Sequence, residues 1–187
     1  MPPRRKPHDQ SPQGKPSPGQ LAWAELGIPA DYCVARGLPL QIQAAELISI
    51  GTNPEGRDIQ LSPAAGAAWL RMRDSASRAG VALVAISGFR SIERQVEIIR
   101  AKLLSGRAIG DILKTVAAPG TSEHHTGRAI DIGTPGQEPL TEDFALTPAF
   151  RWLESHSGAF CFKLSYPRDN THGISYEPWH WCFHPEN

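Results

Sequence analysis

An acid set in the middle of a short apolar run constrains this chain more than any other feature. Asp131 stands between Ile130 and Ile132 in AIDI, residues 129–132. The run reads as a strand over 128–132, with Ala129 and Asp131 facing one way and Arg128, Ile130 and Ile132 the other. An isolated carboxylate among such neighbours is very costly to bury. Whatever fold forms must therefore bring Asp131 a partner or a ligand. His124, upstream across Gly127, is one candidate. Imidazole nitrogen and carboxylate oxygen both bind zinc, and the glycine permits a tight turn between them. Taken alone, the two residues are explained as well by a His–Asp hydrogen bond that holds a loop.

The segment YEPWHW, residues 176–181, adds His180 as a third ligand and Glu177 close before it. On a regular strand their side chains diverge, but Pro178 distorts the backbone and lets both reach one cavity. Three protein ligands with an open fourth position characterise a catalytic zinc site. Such a metal lowers the pKa of bound water to ~7, and a carboxylate beside it can take the proton. Glu177 is the residue for that role, returning the proton to the leaving amine. Arg90, in SGFRS at residues 87–91, follows an apolar run and could steady an oxyanion or fork onto a substrate carboxylate. A structural salt bridge is the alternative for this arginine.

Around these residues the pattern is that of an α+β protein, a small antiparallel sheet flanked by helices. Residues 1–20, rich in Pro, Gln, Ser and Lys, read as a disordered tail. Residues 21–61 read as an extension packing on the core and 62–187 as the main domain. In the extension, 21–26 reads as a short helix, 44–50 as helix or strand, and 51–57 as a turn. Ser62-Pro63 predicts a helix start with a capping hydroxyl and a proline at the first position, ending at Gly80. VALVAI, residues 81–86, reads as a buried strand, and Ser91 caps a helix through about Leu104. A shorter helix is expected over 109–116, and another from Pro148 to near Gly158. Strands are expected over 160–166 and 174–183.

Composition excludes other classes. Nineteen basic and nineteen acidic side chains cancel, so the chain lacks the footprint of a nucleic-acid binder. Three cysteines without CxxC spacing make neither a disulfide framework nor a zinc finger. A bridge between Cys161 and Cys182 stays open. No apolar run approaches the ~20 residues of a membrane span. The N-terminal segment has no apolar stretch after its basic residues, so the expectation is a cytoplasmic monomer, or an envelope protein if a leader precedes it.

Taken in order, SGFRS with Gln95, PGTSEHHTGRAIDI, LSYP at 164–167 and YEPWHW resemble the VanY-like D-alanyl-D-alanine carboxypeptidases, which share a fold with the Hedgehog signalling domain. The pattern Ser122-x-His124-x-x-Gly127-x-Ala129-x-Asp131, then Glu177-x-Trp179-His180, matches at each position, and the likeness runs from about Ser62 to Phe183. The resemblance implies a zinc-dependent carboxypeptidase acting on peptidoglycan stem peptides, of D,D- or L,D-specificity. It implies His124, Asp131 and His180 as ligands, Glu177 as base, and Arg90 as transition-state or carboxylate contact. Gln95 and Ser122 would line the substrate pocket, with Trp179 and Tyr166 as its walls. His125 is expected to point away from the metal, His172 to lie near the substrate, and Glu123 to be a ligand's partner or a surface charge. Arg128, Cys161 and Cys182 stand where the family commonly has leucine, glycine and arginine, which puts specificity in question. Two other readings are a peptidoglycan endopeptidase of the phage-lysin kind and a non-catalytic zinc-containing muropeptide-binding module. Glu177 argues against the second, since a purely structural site has no use for that carboxylate.

Overall fold

The computed structural model describes residues 17–185. Most of the expected tail lies outside that range. Its last residues depart from the expectation: Pro18–Leu21 form a helical turn, α1, closed by a capping box between Ser17 and Gln20. Two more short helices follow, α2 (Trp23–Leu26) and α3 (Tyr32–Arg36), each ending on a left-handed glycine.

A hairpin comes next, β1 (Ile48–Thr52) and β2 (Asp58–Leu61), which resolves the ambiguous 44–50 stretch in favour of a strand at its end. Its turn is held by Asn53, whose Oδ1 accepts the N–H groups of Glu55 and Arg57 at 3.1 and 2.9 Å. Then α4 spans Pro63–Arg78. Ser62 sits at its N-cap with extended backbone, yet its hydroxyl makes no capping bond. The N–H of Ser62 instead donates to the Gly127 carbonyl at 2.8 Å, tying the helix start to the site loop.

Strand β3 (Val84–Ser87) is shorter than the apolar run that predicts it and only half-buried, because it is an edge of the second sheet, ordered β3-β4-β6-β5. Helix α5 (Ile92–Leu104) starts as expected, with Ser91 Oγ accepting the Arg94 N–H at 3.1 Å. Helix α6 covers only Ile109–Ile112 and continues as turns. Strand β4 (Ala129–Gly133) is central and buried at each position. Helix α7 (Pro148–His156) is capped by Thr147. β5 (Phe162–Leu164) and β6 (His180–Phe183) form an antiparallel pair. Residues 174–179, expected as strand, instead lead into a turn.

Two apolar cores result. One lies between the four-stranded sheet, α4 and α7, built around Trp69, Met72, Ile130, Ile132, Leu153 and Trp181. It also takes Ile50, Ile59 and Leu61 from the hairpin. At roughly 1.5–3 kcal/mol per large apolar side chain buried, those three side chains bind the hairpin firmly to the domain. The second core joins α2 and α3 to α5 and α6 through Trp23, Tyr32, Ile99, Ile112 and Tyr166. From this side the early segment grips the loop that carries His124. Trp23 Nε1–H donates to the Pro119 carbonyl at 2.9 Å, and the Ala118 N–H reaches Tyr32 Oη at 3.3 Å. Gln41 and Ala44 donate backbone N–H groups to Gly120 and His125 carbonyls, both at 2.8 Å.

Cys33, Cys161 and Cys182 are all free thiols, so the bridge left open between Cys161 and Cys182 is not made. No described helix is long and apolar enough to cross a membrane.

Candidate metal centre and cleft

Strand register builds the centre. In the β4–β6 ladder Asp131 lies directly opposite His180, and in the β3–β4 ladder it lies opposite Ser87. Directly opposed residues on one sheet face hold their Cβ atoms about 4.5–5.5 Å apart. Asp131 Oδ1 accordingly meets His180 Nδ1 at 3.1 Å. The third member arrives on a 3-10 turn, Glu123–Thr126, that ends on Gly127 at φ 64°. A side chain at position 127 would place Cβ 2.8 Å from the backbone nitrogen of Ser62, so only glycine fits this approach. His124 Nε2 then lies 3.4 Å from Asp131 Oδ2. One ligand atom from each of His124, Asp131 and His180 falls within 4.8 Å of the others, and all three residues are buried.

Hydrogen bonds fix which nitrogen each ring presents. His124 Nδ1–H donates to the Gly88 carbonyl at 2.6 Å, leaving the Nε2 lone pair toward Asp131. Gly88 must be glycine for this to happen, since a Cβ there would sit 2.5 Å from the Gln60 carbonyl oxygen. His180 is turned the other way: Nε2 bonds Glu123 Oε2 at 2.9 Å and Nδ1 faces the centre. Glu123 in turn accepts the Ser165 hydroxyl at 2.6 Å. Such outer partners orient metal-binding imidazoles.

The electrostatics suit a cation. Burial alone would raise the pKa of Asp131, but His124 and His180 outweigh it and hold the carboxyl far below its usual range. Burial pushes His124 down, keeping it neutral as a ligand must be. On His180 burial opposes charge, yet the hydrogen bonds to Asp131 and Glu123 prevail and raise it to about 10. Two carboxylates around one imidazole thus call for positive charge at this point. Donor types, orientation and charge all fit zinc.

The centre forms the floor of a cavity of about 370 Å3. Glu177, Pro178, Trp179 and His180 make a turn closed by the His180 N–H on the Glu177 carbonyl at 3.0 Å. Pro178 takes the second position, where its fixed φ is at home. The turn brings Glu177 Oε2 to 3.9 Å from His180 Nδ1, so the expected convergence of these two side chains occurs. The Glu177 carboxyl makes no hydrogen bond among the described residues. Burial, aided by Asp131 and Glu123 and opposed by His180 and Arg90, raises it to about 7.

Arg90 lines the same cavity and makes no salt bridge among the described residues. Its guanidinium is held by Gln95 Oε1 at 3.1 Å and by Ser87 Oγ at 3.5 Å. Gln95 is itself fixed through Nε2–H to the Ala117 carbonyl at 2.6 Å and is wholly buried. Gln95 therefore braces Arg90 as well as lining the pocket. Ser122, Tyr166 and Trp179 border the cavity as expected, and Lys102 adds a second cation at its rim.

His125 points away, as expected. Its Nε2 accepts the Gly120 N–H at 3.1 Å, so Nδ1 carries the proton and donates to the Arg90 carbonyl at 2.7 Å. His172 does not reach the cleft. Its Nδ1 bonds the Arg36 carbonyl at 3.0 Å, and it borders a different cavity. Sequence reasoning missed Lys102, and it quoted Ser87 and Gly88 within SGFRS without giving them roles of their own. Ser165 sat within the LSYP segment but without a role.

The architecture is that of the DD-peptidases. The family described as VanY: D-alanyl-D-alanine carboxypeptidase matches residues 58–186, and the chain belongs to that family. It is 36% identical over 143 residues to a D-alanyl-D-alanine carboxypeptidase of Enterococcus faecalis, covering 71% of this chain and 50% of that one. The chain thus spans about half the length of that relative. Among solved structures it resembles the LD-carboxypeptidase LdcB, with a TM-score of 0.68 and 30% identity over 78% of this chain and 71% of that one. It also resembles the vancomycin-resistance D,D-pentapeptidase VanY, solved as a point variant with Zn(II), with a TM-score of 0.59 and 30% identity over 78% and 82%.

Proposed function

We propose that the chain is a zinc-dependent carboxypeptidase that removes a terminal D-amino acid from peptidoglycan stem peptides. The observation that carries this reading is the convergence of three ligand atoms within 4.8 Å, with an unbonded carboxyl and a braced guanidinium facing the same cavity. His124, Asp131 and His180 would hold the ion. Zinc bound there supplies Lewis acidity, which lets a water molecule give up a proton near neutral pH.

Glu177, whose carboxyl faces the cavity without a hydrogen-bond partner among the described residues, takes that proton as the oxygen adds to the peptide carbonyl carbon. It then delivers the proton to the nitrogen of the breaking C–N bond, so the D-amino acid leaves as a neutral amine and Glu177 returns to its carboxylate. Arg90 offers a fork to the terminal carboxylate or to the developing oxyanion. A terminal carboxylate is what an exopeptidase must recognise, and this favours carboxypeptidase over endopeptidase. The named activities of the resembled proteins, one LD and one D,D, fit the same chemistry.

The test is to incubate purified protein with pentapeptide and tetrapeptide muropeptides, with and without chelator, and to weigh the products. Loss of a single D-alanine, abolished by chelator, is expected. Unchanged substrates, or cleavage within the stem, would overturn the reading.

A further inference from the structure

Behind His180, on the side away from the cleft, a different set of donors gathers. Alternation along β6 and its continuation puts His180, Cys182 and His184 on one face of the strand. Glu123 lies over that face, bonded to His180. One ligand atom from each of Glu123, Cys182 and His184 lies within 4.8 Å of the others. The three are carboxylate oxygen, sulfur and imidazole nitrogen, a set that selects zinc and similar thiophilic cations over magnesium or calcium. The Cys182 thiol is free and makes a weak contact to the Phe183 carbonyl at 3.9 Å.

The group also has an entrance of its own. Glu123 and His184 border a second cavity of about 260 Å3, walled by Ser165 and Leu38, and His184 is exposed. Tyr166 borders both cavities and separates them. An ion can therefore reach this cluster without passing the substrate. Lys163, opposite Cys182 in the strand register, borders the second cavity too. That ammonium competes with a bound cation and makes this the weaker of the two sites.

We infer that Glu123, Cys182 and His184 form a second site for a zinc-like cation, and that filling it slows the enzyme by loosening the hold of Glu123 on His180. Binding replaces the thiol proton, which passes to solvent. The coupling follows from the shared carboxylate: Glu123 holds His180 and Ser165 through Oε2, and an ion taken by its other oxygen draws negative charge from Oε2 and loosens that hold on His180 Nε2. The slowing rests on the function proposed above, whereas the binding does not.

Cobalt(II) added to the zinc-loaded protein separates these claims. The His–Asp–His centre contains no sulfur, so a thiolate-to-cobalt charge-transfer band in the near ultraviolet reports the second site alone. The band is expected in the wild-type protein and lost in Cys182→Ser. Equilibrium dialysis should show a second zinc equivalent that disappears in His184→Ala, a surface change that leaves the fold intact, while the first remains. Inhibition by excess zinc should then require at least 10-fold more metal in His184→Ala. No thiolate band, or a second equivalent that persists in both variants, would overturn the site. A band and a second equivalent without relief of inhibition would leave the site standing and overturn the coupling. Absence of activity at any zinc level would instead count against the carboxypeptidase reading.

Discussion

Glu123 and Glu177 lie on opposite sides of His180, both largely buried, and their environments drive them to opposite ends of the carboxyl range. Behind the ring, Glu123 is held by His180 and Ser165. Burial would raise it, but the hydrogen bond and charge of His180 bring it to about 2. On the cleft side Glu177 has no such partner, and burial leaves it at about 7. The difference lies in hydrogen bonding, not residue type. A carboxylate locked into a network can orient a neighbour but cannot exchange protons near neutral pH. One left unbonded at the edge of a cavity can.

Removing the residue between them gives the largest effect. His180→Ala should lose zinc and peptidase activity together, as measured by metal analysis and muropeptide turnover. Stoichiometric zinc in that variant would remove His180 from the ligand set. Glu177→Gln comes next. It should keep one zinc and lose the ~10²–10⁴-fold typical of general acid–base catalysis. Wild-type turnover would show that the raised carboxyl is not the base. Glu123→Gln should be milder, weakening zinc by ~10–100-fold, as outer partners of ligating histidines do. At saturating zinc its turnover should fall only modestly, by far less than that of Glu177→Gln, and a Glu177-sized loss would erase the distinction between the two acids.

The remaining effect is on stability, and its sign differs between the two. The folded pKa of Glu177 is raised above its ordinary 4.5, so ionisation favours the unfolded chain and stability falls as pH rises from about 4.5 to 7. Glu177→Gln should therefore stabilise the protein by about 3 kcal/mol at pH 8 and have little effect at pH 4, given ~1.36 kcal/mol per pKa unit. Glu123 is depressed, so it contributes stability above pH 4.5 that is lost as pH falls toward 2. Glu123→Gln should destabilise at pH 8. Thermal melts of both variants at the two pH values decide it. Equal signs would mean that burial alone, not bonding, sets the behaviour of these acids.

What the sequence disclosed follows from range. Asp131 in its apolar strand announces that it needs partners, and Ser91 and Thr147 mark helix starts through bonds that span three residues. Pro178 marks the turn that aims Glu177. The partners that tune the centre are separated by 36 positions for His124 and Gly88, 42 for Ser165 and Glu123, and 57 for His180 and Glu123. Those pairings depend on how β3, β4 and β6 register, which no local periodicity encodes. The same limit applies to Gln95, which reads as a pocket residue but also braces Arg90 through Ala117. Ser62 fails in the opposite sense. Its local signal predicts a capping hydroxyl, and a tertiary contact to Gly127 takes its backbone instead.

Diffraction from crystals of zinc-loaded protein, recorded on both sides of the zinc absorption edge, is the most direct check. An anomalous peak should lie about 2.0–2.2 Å from His124 Nε2, His180 Nδ1 and an Asp131 oxygen, with a fourth position facing Glu177. A peak bonded to fewer than these three side chains, or none between them, would contradict the metal centre on which the proposed chemistry stands.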